Sequence, residues 1–412
     1  MVNPNHVDLN HDGGVPRLPR VCVGWAGRAA RALTTLVSAS VLAAGTLALV
    51  PAPARAEDVI TTQEYFSYYH LDQARAKGYT GKGVTIALFD GPVDTSAPEL
   101  KGANITDKSR CTIEAAPSSK THGTAMASLL VAHDYGVAPD ATLLTYQSAT
   151  IDDVSLGSCE NVGGKRYNSI AHLIDQAIDD GAQIISFSQE SGATGDDVKW
   201  AIARAMSQGV IIVAGAGNTG ADNNRDQLGW WSGVVGVAAI TADGQRADYS
   251  SWGNGVTTAA FGGPVTVRDY GTGAVKTSRG TSAATALTSG MLALGRQKWP
   301  DASANQLLQV VTKTALNPNH EWNPYTGYGA VDLGALVNTD PSQYPDENPL
   351  AQKEGGSSPT VQEVQDYADG VVEPNPDTLG KSYVYRGVDE AAALMDGVGP
   401  VHLGTSPRYH RK

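Results

Sequence analysis

The chain predicts an α/β fold of three layers, a parallel sheet covered by helices on both faces. Two patterns point there. From Gly81 onward, short apolar runs alternate with longer stretches whose apolar residues recur every three or four positions. The short runs are apolar at successive positions rather than at every second one, as expected of strands buried on both faces. Composition agrees. Among 412 residues there are 46 Gly and only 7% aromatics, which suits tight turns and close helix–sheet packing. No fixed-period repeat is present.

The elements follow in order. Val84-Thr85-Ile86-Ala87-Leu88-Phe89 is a buried strand ending at Asp90. Thr124–His133 reads as a helix and Ala141–Tyr146 as a strand. Ile170–Asp180 is a helix, Gln183–Phe187 a strand, Asp196–Gln208 a helix and Val210–Ala214 a strand. Gly233–Ile240 is a further strand. Ala283–Trp299 is a long apolar helix, followed by a second helix at Ala304–Ala315. Strands alternating with helices build parallel sheets, and such sheets carry their sites beyond the carboxyl ends of the strands.

The ends of the chain read differently. Arg17, Arg20, Arg28 and Arg31 precede an uncharged run, Ala32–Val50, and then Ala54-Arg55-Ala56, a small-x-small site. Residues 1–56 are therefore expected to be a secretory signal peptide, an uncleaved anchor being the alternative. Losing five Arg and two Asp with that segment leaves a net charge of −15 in place of −12. A surface so acidic excludes a nucleic-acid partner and suits a secreted, extracellular protein, expected to be a monomer. Residues 57–338 are read as the folded domain. Residues 339–412, rich in Pro, Gly, Ser, Asp and Glu, are read as an acidic, partly disordered extension. Within it, only Thr360–Val372 and Val388–Met395 have the pattern of short helices, and no run there is long enough to span a bilayer. Cys22 lies in the leader. Cys111 and Cys159 remain, an even pair that an exported protein usually joins, two free thiols being the alternative.

Four segments carry chemistry. Phe89-Asp90-Gly91-Pro92-Val93-Asp94 puts a carboxylate at a strand end. Asp90 is preferred over Asp94 because it directly ends the strand. Thr121-His122-Gly123-Thr124 puts a His at a helix start, and Gly280-Thr281-Ser282-Ala283-Ala284 puts a Ser at another. Ile211–Ala214 runs into Gly215-Ala216-Gly217-Asn218, a Gly-rich turn with an amide at its tip. A Ser hydroxyl needs a base to become a nucleophile, and His supplies one near neutrality. A buried carboxylate holds that imidazole in the right tautomer. A helix N-terminus favours negative charge developing beside the Ser. An Asn amide can stabilise the oxyanion. As a bare helix cap, Ser282 would leave the other three segments unexplained.

In the order Asp90, His122, Asn218, Ser282, these segments resemble the subtilisin-like serine peptidases, the subtilases. The resemblance extends from about Tyr65 to Val337. Thr80-Gly81-Lys82-Gly83-Val84, Ala97-Pro98-Glu99-Leu100, Tyr249-Ser250-Ser251-Trp252-Gly253 and Tyr325-Thr326-Gly327-Tyr328-Gly329 also resemble family segments. It implies the subtilisin-like three-layer fold, a triad of Asp90, His122 and Ser282, and Asn218 as oxyanion donor. It further implies that Ser188, Gln189 and Glu190 line one wall of the substrate pocket and Gly215, Ala216 and Gly217 the other. Glu190 either favours a basic substrate residue or points to solvent. The chemistry requires no cofactor. No metal ligand set is evident, and Asp222, Asn223 and Asn224 read as a turn rather than a calcium site.

The chain departs from the family in four places. Asp90 is followed by Gly91-Pro92 rather than Ser/Thr-Gly, and Ala286 stands where Pro is usual. Gln189-Glu190-Ser191 replaces Leu-Gly-Gly. Only 24 residues separate Ala56 from Gly81, too few for the family's larger pro-region. Tyr146–Tyr167 is longer than the family core needs and contains Cys159, so a Cys111–Cys159 disulfide is expected to pin it beside His122. These features favour a dedicated maturation protease over a scavenging one. Mycosins share a reduced pro-region and extra disulfides but carry a C-terminal membrane helix, for which the extension has no counterpart. The alternative function is a secreted pseudoenzyme or binding protein on the same fold. An esterase is excluded, since Ser282 lacks a Gly-x-Ser-x-Gly setting and the order Ser, Asp, His.

Overall fold

Runs of branched apolar residues form the parallel strands of the central sheet. These are β1 (Thr85–Asp90), β2 (Ile105–Asp107), β3 (Thr142–Gln147), β4 (Ile184–Phe187), β5 (Ile211–Gly215), β6 (Val234–Ile240) and β7 (Val256–Phe261). In the computed structural model they lie in the order β2-β3-β1-β4-β5-β6-β7, with every pairing parallel. The structure describes residues 59–370, apart from 151, 161–166, 190–192, 223–226, 318, 320 and 354–357, together with 388–389 and 401–402. The expected leader, residues 1–56, lies outside them.

Alternate strand residues enter opposite cores, which is why the strands read as continuous apolar runs. On one face Ile86, Leu88, Ile184, Ile211 and Val213 pack with helices α3 (Pro117–Val131) and α6 (Thr281–Lys298). On the other, Ala87, Phe89, Ile185, Phe187, Ile212 and Ala214 meet α4 (Ile170–Asp179) and α5 (Asp196–Ser207). Two short helices, α1 (Glu64–Tyr68) and α2 (Leu71–Ala76), precede the sheet. A hairpin of β8 (Val265–Arg268) and β9 (Val275–Ser278) leads into α6, and α7 (Ala304–Thr314) and α8 (Leu333–Asn338) follow it.

Four expectations need correction. The helix carrying His122 begins at Pro117, seven residues before the expected Thr124, so His122 lies in its second turn rather than at its start. Its polar opening, Pro-Ser-Ser-Lys, hid that turn. Strands β2, β7, β8 and β9 had no reading from sequence. In β7, Thr257 and Thr258 are buried, with their hydroxyls bonded to the carbonyls of Val234 (3.5 Å) and Gly329 (2.8 Å), so a polar pair interrupts the apolar run.

Third, the boundary at 338 is too early, because described residues beyond it stay packed on the domain as far as Ala368. Leu350 is buried, and helix α9 (Val361–Ala368) buries Tyr367 and packs on α5. Backbone bonds tie Gly233 N–H to the Leu350 carbonyl (2.7 Å) and Ser232 N–H to the Ser358 carbonyl (3.0 Å). The buried Lys353 Nζ donates to the Gly229 (2.5 Å) and Gly255 (2.9 Å) carbonyls. Fourth, Val388–Asp389 is not helical but pairs antiparallel with Val401–His402 as β10 and β11. Among the described residues no helix is long and apolar enough to cross a membrane.

Candidate active site

β1 ends at Asp90, which is 1% exposed. Its Oδ1 accepts from the Gly91 N–H at 2.7 Å and from His122 Nδ1 at 2.8 Å. A carboxylate only accepts, so Nδ1 carries the proton and Nε2 is the basic nitrogen. Two glycines allow this approach. A Cβ on Gly123 would sit 2.2 Å from the Gly91 carbonyl oxygen, and one on Gly91 would sit 2.3 Å from the Ser119 carbonyl oxygen. Helix α3 therefore rests directly on the turn that follows Asp90. Burial pushes the His122 pKa down, but the Asp90 charge and hydrogen bond outweigh it and leave the pKa raised. Asp94 is turned elsewhere, its Oδ1 accepting from Ser96 N–H and Oγ.

Ser282 is the second residue of α6. Its carbonyl accepts from the Ser188 hydroxyl at 3.4 Å, just beyond the end of β4. Next to it, the Asn218 Oδ1 accepts from Thr281 N–H (2.8 Å) and Oγ1 (3.2 Å), fixing the orientation of the amide. A Cβ on Gly280 would lie 3.1 Å from Ser282 Oγ and 3.4 Å from Asn218 Oδ1, so hydroxyl and amide flank the same small space. Gly215 and Gly217 bring β5 against α6. The Thr281 hydroxyl accepts from Gly217 N–H at 3.3 Å and would lie 3.0 Å from a Cβ on Gly215.

Strands β1, β4 and β5 are neighbours in the sheet. Asp90, Ser188 and the Gly215-Ala216-Gly217-Asn218 turn therefore share one edge of it, at the strands' carboxyl ends. Gln189 is buried and folds sideways, donating to the Ser148 carbonyl at 3.2 Å. Glu190 lies outside the described residues.

Cys111 and Cys159 are joined, with Cα atoms 5.0 Å apart. The bond closes a ribbon in which Glu114 and Ser155 pair antiparallel, leading straight into α3. Three residues around His122 had no signal in sequence, because their partners are remote along the chain. Asp153 accepts from Ala116 N–H (3.0 Å), at the N-cap of α3, which has no side-chain cap of its own. Tyr270, at the hairpin tip, donates its N–H to Thr121 Oγ1 (2.9 Å). Ser148 donates its N–H to the Asp90 carbonyl (2.8 Å). Among the described residues no group of His, Cys, Asp or Glu is arranged to hold a metal ion.

Residues 81–329 match the model of the subtilase family. The chain is 32% identical to the thermostable alkaline protease of Halalkalibacterium halodurans over 60% of its own length and 66% of that relative's. It is 26% identical to subtilisin DY of Bacillus licheniformis over 65% and 95% of the two chains. Mycosin-4 of Mycobacterium tuberculosis is 30% identical over 53% of this chain and 57% of its own. The fold also matches the solved structure of MycP1 from Mycobacterium smegmatis, with a TM-score of 0.55, 24% identity, and 75% and 91% of the chains covered. Patellamide maturation protease PatG gives 0.56 at 19% identity, over 68% and 98%. The chain belongs to the subtilase family of serine peptidases, hydrolases that act on peptide bonds.

Proposed function

We propose that this chain is a secreted endopeptidase that works through Ser282, His122 and Asp90. The observation that carries the reading is the 2.8 Å bond from His122 Nδ1 to the buried Asp90, on the sheet edge it shares with Ser282. His122 Nε2 takes the Ser282 proton as Oγ attacks the peptide carbonyl. The oxyanion forms beside the Asn218 amide and the Ser282 N–H, at the positive end of an 18-residue helix. His122 passes its proton to the leaving amine, and an acyl-enzyme remains. Water, deprotonated by His122, then releases the acyl group.

Ser188 and Gln189 after β4, with Glu190 next in sequence, and the Gly215-Ala216-Gly217 turn are the two walls for the acyl side of the substrate. No cofactor takes part. Export is supported by the leader-like segment 1–56 and by the disulfide. A dedicated maturation role is supported by the likeness in fold to the maturation proteases PagA and PatG. The test is a cleavage profile on a diverse peptide library. Cleavage at a restricted set of sequences, absent in Ser282→Ala, is expected. A wild-type protein that cleaves nothing makes the chain a binding protein on a peptidase fold.

A further inference from the structure

The β8–β9 hairpin joins an exposed strand edge to exposed cations. On its outer side β8 is sealed. Gln63 Oε1 accepts from Thr266 N–H (2.9 Å), and Gln63 Nε2 donates to the Thr266 carbonyl (2.7 Å), as a neighbouring strand would. Thr266 is paired with Thr277. Because Thr266 turns its backbone groups toward Gln63, this is a non-hydrogen-bonded pair, so Thr277 turns its N–H and carbonyl to the outer edge of β9. Among the described residues no strand pairs with that edge, and every residue of β9 is exposed.

The hairpin also spans the reacting groups. Its base joins Ser282 through only Arg279, Gly280 and Thr281, and its tip is bonded to Thr121, beside His122. The leaving amine is the group His122 protonates, so the chain that departs lies on the side this hairpin borders. In a protein of net charge −12, residues 275–279 hold two cations and no anion. The Arg279 side chain is 66% exposed, and its carboxylate neighbour, Asp248, is 3.9 Å away and 84% exposed. A contact of that kind contributes little, and the guanidinium otherwise lies over the Tyr249 ring, 5.0 Å from its centroid, which does not neutralise its charge. Lys276 is 49% exposed and pairs with Asp269.

We propose that the open edge of β9 receives the substrate segment that follows the scissile bond, and that Arg279 and Lys276 select acidic residues in it. This rests on Ser282 being the nucleophile. The strand edge supplies backbone pairing without sequence preference, and the two cations supply the preference.

The test uses quenched fluorescent peptides differing only at the second and third residues after the cleavage site, Asp-Glu against Lys-Lys. The acidic peptide is expected to have a kcat/KM about five- to tenfold higher, mainly through KM, and the ratio should shrink toward one in 0.5 M salt. In the Arg279→Glu, Lys276→Glu double variant the ratio should invert. Lys82→Glu, exposed at the opposite end of β1, should keep the wild-type ratio. Cleavage with a ratio near one, or a ratio the double variant does not move, overturns this proposal and leaves the site intact. A wild-type protein that cleaves neither peptide and takes no serine-directed label overturns the site reading as well.

Discussion

Helices α3 and α6 carry the two proposed reacting residues, His122 and Ser282, yet they are held at the sheet edge by different means. α6 is buried along most of its length, and its Thr285, Thr288 and Ser289 hydroxyls bond back to carbonyls one turn earlier. Its first turn is fastened to the end of β5 by the Asn218–Thr281 bond. Like α6, whose N-cap is Gly280, α3 has no side-chain cap of its own. Its start is held by Asp153 from the disulfide ribbon, by Tyr270 from the hairpin, and by the glycine contact at Gly91 and Gly123. The proposed nucleophile is therefore placed mainly by the sheet, and the proposed base by several long-range tethers. Changes that spare the fold should reach His122 before they reach Ser282.

The largest effects come from the groups themselves. His122→Ala should lower kcat on the order of 10⁶-fold, the magnitude seen when a subtilisin loses its histidine or serine. Asp90→Asn should cost about 10⁴-fold, because the imidazole then sits in the wrong tautomer. Steady-state kinetics on one peptide substrate checks both, and equal losses would contradict the division of roles.

Asn218→Ala should cost about 10²–10³-fold in kcat, a range borrowed from the equivalent donor of a subtilisin. Gly123→Ala sharpens the contrast between the helices. Its methyl group, 2.2 Å from the Gly91 carbonyl oxygen, must push α3 off the strand end. A shift of about 1 Å predicts roughly a 10²-fold loss in kcat, whereas Gly290→Ala in α6 should lower stability with kcat retained. The three atoms nearest to that methyl all belong to the Val137 side chain, the closest at 2.6 Å.

Replacing Cys111 and Cys159 by Ser should cost about 4 kcal/mol of stability in the chain-entropy view, for a separation of 48 residues. Denaturant unfolding measures it. At 25 °C the effect on kcat should stay within about tenfold, since Asp90 and the glycine contact still hold α3.

The last effect, at Lys353, is one of pH. Burial lowers its pKa from 10.5 to about 7. The unfolded chain therefore binds more protons between these values, and stability should fall as pH falls from 10.5 toward 7. Lys353→Met should flatten that slope in thermal melts recorded across this range. An unchanged slope would mean that the packed segment 339–370 is held without it.

How much was legible in the sequence follows the same division. The four motif segments were readable because their chemistry is local: a carboxylate at the end of an apolar run, and small residues around a His and a Ser. Asn218 was readable because a strand and a Gly-rich turn announce it. The tethers of α3 were not, because Asp153, Tyr270 and Ser148 act across folds of the chain that no local pattern records. Residues 339–370 read as loose because their polar composition hides the few groups, Leu350, Lys353 and Tyr367, that bury themselves in the domain.

The central claim is that Asp90, His122 and Ser282 act as one unit, and reaction with a fluorophosphonate followed by mass spectrometry tests it most directly. A single adduct on Ser282 is expected. Its rate of formation should rise with pH to a plateau, with a midpoint above the ordinary histidine value of 6.5, since Asp90 raises the His122 pKa. The labelling should collapse in His122→Ala. An adduct on another residue, or labelling of Ser282 at the same rate without His122, would contradict the account.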